Sequence, residues 1–206
     1  MQAQRAPHVA AVDEVVDLAV GVAGDVADDR MLRGRLAEAH QRRRLAAEIA
    51  ALQKEGHSCI LVSSAAIAAG VRVLKLKQRP DDLSGKQACA AAGQPELMRL
   101  YATSFKKHGF AVAQLLLTHG DIDSFMRRDN ARNTLDCLLE RGAIPIINEN
   151  DSVAVEELRF GDNDRLSAEV AILAEADNLI ILTSVDGLQD SNGKRVGKVR
   201  NISEAL

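Results

Sequence analysis

Two short clusters of carboxylate and amide side chains have the residue types of a substrate site. The first polar cluster, residues 148–151, reads Asn-Glu-Asn-Asp, and the second polar cluster, residues 161–164, reads Gly-Asp-Asn-Asp. Carboxylates hold a substrate ammonium group or Mg²⁺, and asparagine amides both donate and accept hydrogen bonds. The same residue types also form tight turns, so a purely structural reading of each cluster stays open.

A run of small residues is the third candidate. Residues 63–70 read Ser-Ser-Ala-Ala-Ile-Ala-Ala-Gly and directly follow the apolar stretch that ends at Val62. A strand that passes through a small-residue turn into a helix presents backbone N–H groups at the helix N-terminus, where anions bind. The structural alternative is a serine-capped helix in a tight contact with the sheet.

The elements that must position these residues are short apolar runs alternating with helical patterns. Strands are predicted at 58–63, 110–117, 143–147 and 178–183. Continuous apolar strands separated by helices predict a three-layer α/β/α sandwich with a mainly parallel sheet. Ligands of such sheets bind beyond the carboxyl ends of the strands, so both polar clusters are expected at the same sheet edge.

Capping and breaking residues predict the helix boundaries. The first clear helix is expected to begin at Leu36 and to stop before Gly56. Residues 1–34 contain no convincing strand, although valines at helical spacing favour a helix near Val12. The remaining expectations are a capping box at 84–87, a kink or a new helix at Pro95, a loop over 118–128, and helix caps at Asn130 and Asp164.

Composition excludes several classes of function. The 206 residues carry a net charge of -3 and only 2% aromatic side chains, which argues against a nucleic-acid surface. Three widely spaced cysteines, Cys59, Cys89 and Cys137, are expected to be free thiols in a reducing cytoplasm. The five histidines show no ligand spacing, so no metal site is predicted, and no apolar run is long enough to predict a membrane span.

Over residues 45–188 the chain resembles the glutamate 5-kinases (gamma-glutamyl kinases), a branch of the amino acid kinase family. The resemblance depends on many ordered motifs, of which the two polar clusters are the most specific. The matching segments are residues 62–70, 86–87, 92–94, 114–118, 130–134, 145–151, 160–164, 182–183 and 187–188.

The resemblance implies transfer of the γ-phosphoryl group of Mg·ATP to the side-chain carboxylate of L-glutamate, the first step of proline biosynthesis. It also implies ATP and Mg²⁺ as cofactors, proline as a feedback inhibitor, a homo-oligomer, and a cytoplasmic location without nucleic-acid or membrane partners. The site residues that it implies are Asp164 as the catalytic residue near the phosphoryl group, Ser64, Asp151 and Asn163 on glutamate, and Thr183 and Ser184 on ATP.

The chain departs from the family pattern in several places. The family begins with a strand that carries Lys-Ile/Leu-Gly-Ser/Thr, and no such motif occurs in residues 1–44. Ala65 stands where the family has glycine, which adds a methyl group to the anion-binding turn, and Ser184 stands where aspartate is usual. The family's glycine-rich nucleotide loop and second phosphate-binding lysine are not found before Leu206.

The expected organisation is therefore an atypical segment at 1–34 followed by a partial amino acid kinase domain at 35–206, incomplete at both ends. A missing first strand would leave a sheet edge exposed. Without the two lysines, little or no kinase activity is expected of the chain.

Two other functions remain open from the sequence. A non-catalytic relative would keep the glutamate pocket and serve as a ligand-binding or assembly subunit. A sister kinase would act on aspartate, acetylglutamate or a nucleotide, but the Asn-Glu-Asn-Asp motif at 148–151 argues against that reading.

Overall fold

Five parallel strands form one sheet, in the order β3-β4-β2-β1-β5. The computed structural model describes residues 18–22, 31–154, 163–182, 187 and 192–198. In chain order the elements are β1 (Leu18–Val22), α1 (Met31–Lys54), β2 (Cys59–Val62), α2 (Ala66–Val73), α3 (Leu83–Lys106), β3 (Val112–Leu117), α4 (His119–Asp123), α5 (Phe125–Glu140), β4 (Ile144–Glu149), α6 (Asn163–Leu173) and β5 (Asn178–Leu182).

Helices cover both faces of the sheet, which confirms the predicted α/β/α sandwich. Connections that run toward β3 lie on one face and those that run back toward β5 lie on the other, as right-handed crossovers require. A hydrophobic core lies on each face of the sheet, and successive residues of β2 point into different cores. Leu61 packs with α1, α2 and α3, whereas Val62 packs with α5 and α6. The four strands predicted from apolar runs are all present. β2 and β4 are buried on both faces and need no polar alternation, whereas most residues of β5 are exposed.

β1 overturns the expectation that residues 1–34 contain no strand. It lies inside the sheet, where Leu18 pairs with Cys59 of β2 and with Asn178 of β5. No edge is therefore exposed at this position, and that expectation is wrong as well. An interior parallel strand needs only a few small apolar residues. The sequence Leu-Ala-Val-Gly-Val meets that requirement, although it lacks the family's lysine motif. The helix expected near Val12 lies outside the described residues.

Helix boundaries differ from the sequence expectation mainly at their N-termini. α1 begins five residues before Leu36, and it ends before Gly56, whose φ of +100° suits glycine. α3 is capped by Asp82, whose Oδ1 accepts a hydrogen bond from the Gly85 N–H at 2.7 Å, so the box expected at 84–87 is wrong. Pro95 lies inside α3, and no second helix begins there.

The loop expected over 118–128 is instead two helices. Thr118 caps α4 through a capping box with Asp121, and α5 begins at Phe125. Asn130 consequently lies inside α5 and is not its cap. The Thr-x-x-Asp pattern is a recognised capping signal, and in this chain it outweighed the polar composition of the segment.

Candidate substrate site at the carboxyl edge of the sheet

The carboxyl ends of the parallel strands bring the candidate residues to one sheet edge. Pairing continues one step beyond the strands: the Ser63 N–H donates to the Ile147 carbonyl at 2.8 Å. The Asn150 N–H likewise donates to the Leu117 carbonyl at 2.9 Å. The first polar cluster therefore lies beside the small-residue turn, residues 63–66, that follows β2.

The second polar cluster reaches the same edge through Asn163, the first residue of α6. Its buried side chain donates from Nδ2 to the Ser63 carbonyl oxygen at 3.1 Å, across one hundred positions of sequence. Among the described residues, the prediction that both clusters share an edge is confirmed. Asp164 lies half-buried in the first turn of α6, one position inside the helix, so the expectation that it caps the helix is wrong.

Ser63, rather than Ser64 alone, connects the parts of this edge. It is only 2% exposed, and its hydroxyl lies 2.8 Å from the hydroxyl of Tyr101 on α3 and 3.1 Å from the Ser64 carbonyl oxygen. With the backbone bonds to β4 and to Asn163, every polar group of Ser63 has a partner. Burial raises the pKa of Tyr101, and the bond with Ser63 only partly opposes that shift, so the tyrosine stays protonated.

Ala65 adopts a conformation that alanine rarely takes. Its φ is +81° and its ψ is 9°, in the left-handed region, and it immediately precedes α2. Such a conformation costs a non-glycine residue roughly 1–2 kcal/mol. The Ala65 carbonyl accepts the first helical hydrogen bond, from the Ala69 N–H at 2.9 Å. The turn therefore has the geometry expected where the related family carries glycine, and the alanine methyl group is exposed.

The small residues of α2 also permit an unusually close approach to α3. A Cβ atom placed on Gly93 would lie 1.9 Å from the Ala66 carbonyl oxygen and 2.3 Å from the Gly70 nitrogen. A Cβ on Gly70 would lie 1.7 Å from the Cys89 carbonyl oxygen. The tight contact considered from the sequence is thus real, but it joins two helices instead of a helix and the sheet.

Part of the first polar cluster has a structural role. Asn148 is buried and donates from Nδ2 to Oε1 of Gln94 at 2.9 Å, and its own Oδ1 accepts from the Glu149 N–H. Asn150 forms a turn, since its carbonyl accepts from the Val153 and Ala154 N–H groups. The turn interpretation therefore holds for Asn150, and Asn148 anchors the strand end to α3.

Of the four remaining predicted site residues, the structure describes two. Asp151 and Ser64 are both half-buried, Asp151 after β4 and Ser64 after β2 at the same edge. Thr183 and Ser184 lie outside the described residues; the strand before them, β5, ends at Leu182 on this edge.

A charged cluster on α4 and α6 borders the site. His119 Nδ1 lies 2.5 Å from Glu169 Oε2, and Arg165 donates to the other oxygen of Glu169. Asp121 is partly buried, which raises its pKa, but hydrogen bonds from Thr118 and the nearby Arg127 outweigh burial and leave the pKa below its usual value. These contacts hold the end of β3 against the helix that carries Asn163 and Asp164.

Within the ranges that the structure describes, no three His, Cys, Asp or Glu side chains come together in a group that could hold a metal ion. None of the helices in that part of the chain is both long enough and apolar enough to cross a membrane.

A sequence profile of the amino acid kinase family matches residues 33–205. Among curated proteins, the chain is 52% identical over 160 residues to a glutamate 5-kinase of Thermus thermophilus, covering 78% of this chain and 43% of that protein. It is 54% identical over 149 residues to a glutamate 5-kinase of Geobacter metallireducens, covering 72% and 40%. It is also 56% identical over 144 residues to glutamate 5-kinase 1 of Bacillus licheniformis, covering 70% and 40%. The chain thus spans about two-fifths of the length of these relatives.

A solved structure shares the fold at low sequence identity. An N-acetylglutamate synthase from Neisseria gonorrhoeae, in complex with coenzyme A and N-acetyl-glutamate, superposes with a TM-score of 0.53 and 16% identity. The match covers 86% of this chain and 44% of that one.

Proposed function

Because the chain belongs to the amino acid kinase family, we propose that it forms the glutamate site of a glutamate 5-kinase. In this reaction the side-chain carboxylate of L-glutamate attacks the γ-phosphoryl group of Mg·ATP and γ-glutamyl phosphate is formed. The observation that carries the proposal is the hydrogen bond from Asn163 to the Ser63 carbonyl, which joins the second polar cluster to the small-residue turn.

The nucleophile of this reaction is already an anion, so alignment and charge neutralisation must supply most of the catalysis. We assign Asp151 to the α-ammonium of glutamate, and Ser64 and Asn163 to its polar groups. The Nδ2 group of Asn163 is bonded to Ser63, and we assign its Oδ1 to this role. Asp164, next to Asn163 at the start of α6, orders the polar groups around the phosphoryl group. Thr183 and Ser184 are assigned to ATP.

Mg²⁺ is best regarded as part of the Mg·ATP substrate. It typically binds through substrate phosphates and one or two carboxylates, and does not require a dedicated protein cage. Asp164 is the carboxylate at this edge that we expect to face the ion.

β1 supplies no cationic side chain to the phosphates. No lysine or arginine occurs between Ala6 and Asp29, so the position that the family fills with a lysine strand is uncharged or acidic. Loss of one donor to a developing oxyanion lowers rates by roughly 10²–10³-fold. From the usual 1–100 s⁻¹ of kinases, turnover is expected to fall to about 10⁻³–1 s⁻¹.

The test is a purified-chain assay with L-glutamate, Mg·ATP and hydroxylamine as a trap for the acyl phosphate, together with calorimetric titration of glutamate. Asp151→Ala should weaken glutamate binding by roughly 2–5 kcal/mol, the range for truncating one partner of a desolvated charge pair. Glu140→Ala is a suitable control, because this exposed carboxylate ends α5 at the opposite edge of the sheet.

Unchanged glutamate affinity in Asp151→Ala would remove Asp151 from the site. Glutamate binding without any trapped product would instead favour the non-catalytic reading. Phosphorylation of aspartate or acetylglutamate in preference to glutamate would contradict the proposed substrate.

A further inference from the structure

The conformation of the small-residue turn requires support that neighbouring residues must provide. Ala65 is held at a φ of +81°, and strained residues of this kind persist only where surrounding contacts determine their geometry. The fixed contacts of the turn converge on Ser63, which is bonded to β4, to α6 and to Tyr101 of α3. The hydroxyl groups of Ser63 and Tyr101 are therefore the side-chain groups best placed to set the turn.

The direction of the hydrogen bonds between these groups follows from counting protons. A serine hydroxyl carries a single proton, and that of Ser63 is directed to the Ser64 carbonyl oxygen at 3.1 Å. Either hydroxyl could donate in the 2.8 Å contact, and the assignment that satisfies both bonds makes Tyr101 the donor and Ser63 the acceptor. The chain of bonds runs from the Tyr101 O–H to Ser63 Oγ, and from the Ser63 O–H to the Ser64 carbonyl.

This series of hydrogen bonds fixes the orientation of the peptide group between Ser64 and Ala65. In a planar trans peptide the carbonyl and the N–H point in opposite directions. Because the Ser64 carbonyl is held toward the buried Ser63 hydroxyl, the Ala65 N–H points the opposite way, away from that hydroxyl, and Ala65 itself is exposed. That is the orientation needed to donate a hydrogen bond to an anion at the N-terminus of α2.

We propose that Tyr101 and Ser63 are positioning residues that aim the Ala65 N–H at the phosphoryl oxygens in the transition state. This inference rests on the proposed kinase function and deepens it, because β1 brings no lysine and the backbone donors of residues 63–66 carry more of the charge stabilisation. A buried tyrosine hydroxyl commonly finds a partner for stability alone, so the test must separate positioning from stability.

The test compares Tyr101→Phe and Ser63→Ala with the control Ser104→Ala in the full chain. Ser104 is also buried, and its hydroxyl donates only to the Leu100 carbonyl within α3, at 2.9 Å. We expect kcat in the acyl-phosphate assay to fall about five- to tenfold in Tyr101→Phe, the size of one hydrogen bond. In Ser63→Ala it should fall by up to about a hundredfold, as for a misplaced reacting group. The glutamate Kd should stay within about twofold of the wild type in both.

A second measurement reports on Tyr101 directly. It is the single tyrosine of a chain without tryptophan, so the near-ultraviolet tyrosine spectrum follows this residue alone. Addition of Mg·ATP should shift the spectrum in the wild type and should not do so in Ser63→Ala. Ser63→Thr, which restores the hydroxyl, should recover both the spectral response and most of kcat.

The outcomes separate the two proposals. If the wild type turns over glutamate while Tyr101→Phe and Ser63→Ala match it, or lose no more than Ser104→Ala, the positioning role is refuted and the kinase function stands. If the wild type traps no acyl phosphate, the kinase function fails, and an unresponsive Tyr101 spectrum with Mg·ATP refutes the positioning role as well.

Discussion

Replacing Gly93 by alanine should show how closely the position of α2 controls the site. The new Cβ would lie 1.9 Å from the Ala66 carbonyl oxygen and 2.3 Å from the Gly70 nitrogen, both backbone atoms of α2. Since real Cβ atoms essentially never approach closer than 3.0 Å, α2 must move away from α3 by about 1.1 Å. That movement carries the small-residue turn with it.

Two effects of different size follow from this displacement. Overpacking of a core typically lowers the free energy of unfolding by 1–3 kcal/mol, and occasionally by more. Misplacing a reacting group by about 1 Å lowers turnover by roughly 10²-fold. The variant should therefore remain folded in dilute buffer while losing most of the proposed kinase activity, as measured by urea denaturation and by the hydroxylamine trap.

Gly120→Ala provides the matched control. Gly120 also lies in a helix, α4, but a Cβ there would meet its nearest neighbour, Thr118 Oγ1, at an ordinary 3.7 Å. The Gly120→Ala variant should keep a stability and a turnover close to those of the wild type. Wild-type stability and turnover in Gly93→Ala would refute the close α2–α3 contact and the dependence of the site on it.

Three further outcomes are expected. Ala65→Gly should raise the free energy of unfolding by up to about 1 kcal/mol, because relief of the left-handed alanine exceeds the entropic cost of glycine; a lower urea midpoint would contradict this. Asp121 has a lowered pKa when folded, so its contribution is present above the unfolded value of about 3.9 and is lost as pH falls through the folded pKa. The deficit of Asp121→Asn in urea denaturation should consequently be seen at neutral pH and shrink near pH 3, and an equal deficit at both would exclude the carboxylate as its cause. A thiol reagent should modify exposed Cys137 rapidly in the native chain, and buried Cys59 and Cys89 only after denaturation. Burial also raises the pKa of the Cys89 thiol, which further slows its reaction. Rapid modification of all three thiols in the native chain would contradict the buried positions.

The sheet was largely predictable because its strands are short apolar runs with clear ends. β1 was the exception, since the acids Asp13, Glu14, Asp17 and Asp25 obscured a strand of only five residues. The hydrophobic pattern of a sequence is judged over a window of residues that is longer than this strand. Whether so short a segment forms a strand depends instead on the two neighbouring strands with which it pairs. Pairing with β2 and β5 supplies that information, which the local sequence does not contain.

The candidate site was predictable by residue type but not by contact. The amides and carboxylates of the two polar clusters could be identified, whereas the partnership of Asn163 with Ser63 joins residues one hundred positions apart. Tyr101 was missed because it shares a helical stripe with Leu97 and Phe105, which reads as ordinary core. Gln94 lies in the matching segment 92–94, but its hydrogen bond with Asn148 was not predicted from the sequence.

The interior position of β1, between β2 and β5, also sets the order in which the sheet can be completed during synthesis. β1 can pair with β2 after a separation of 41 residues, but its other neighbour, β5, begins 160 residues after β1 does. At roughly 5–20 residues per second, about 6–23 s pass between the synthesis of β2, which ends at Val62, and that of β5, which begins at Asn178. Throughout that interval one side of a short, apolar, lysine-free strand has no pairing partner from its own sheet, so that side is open to pairing with another chain.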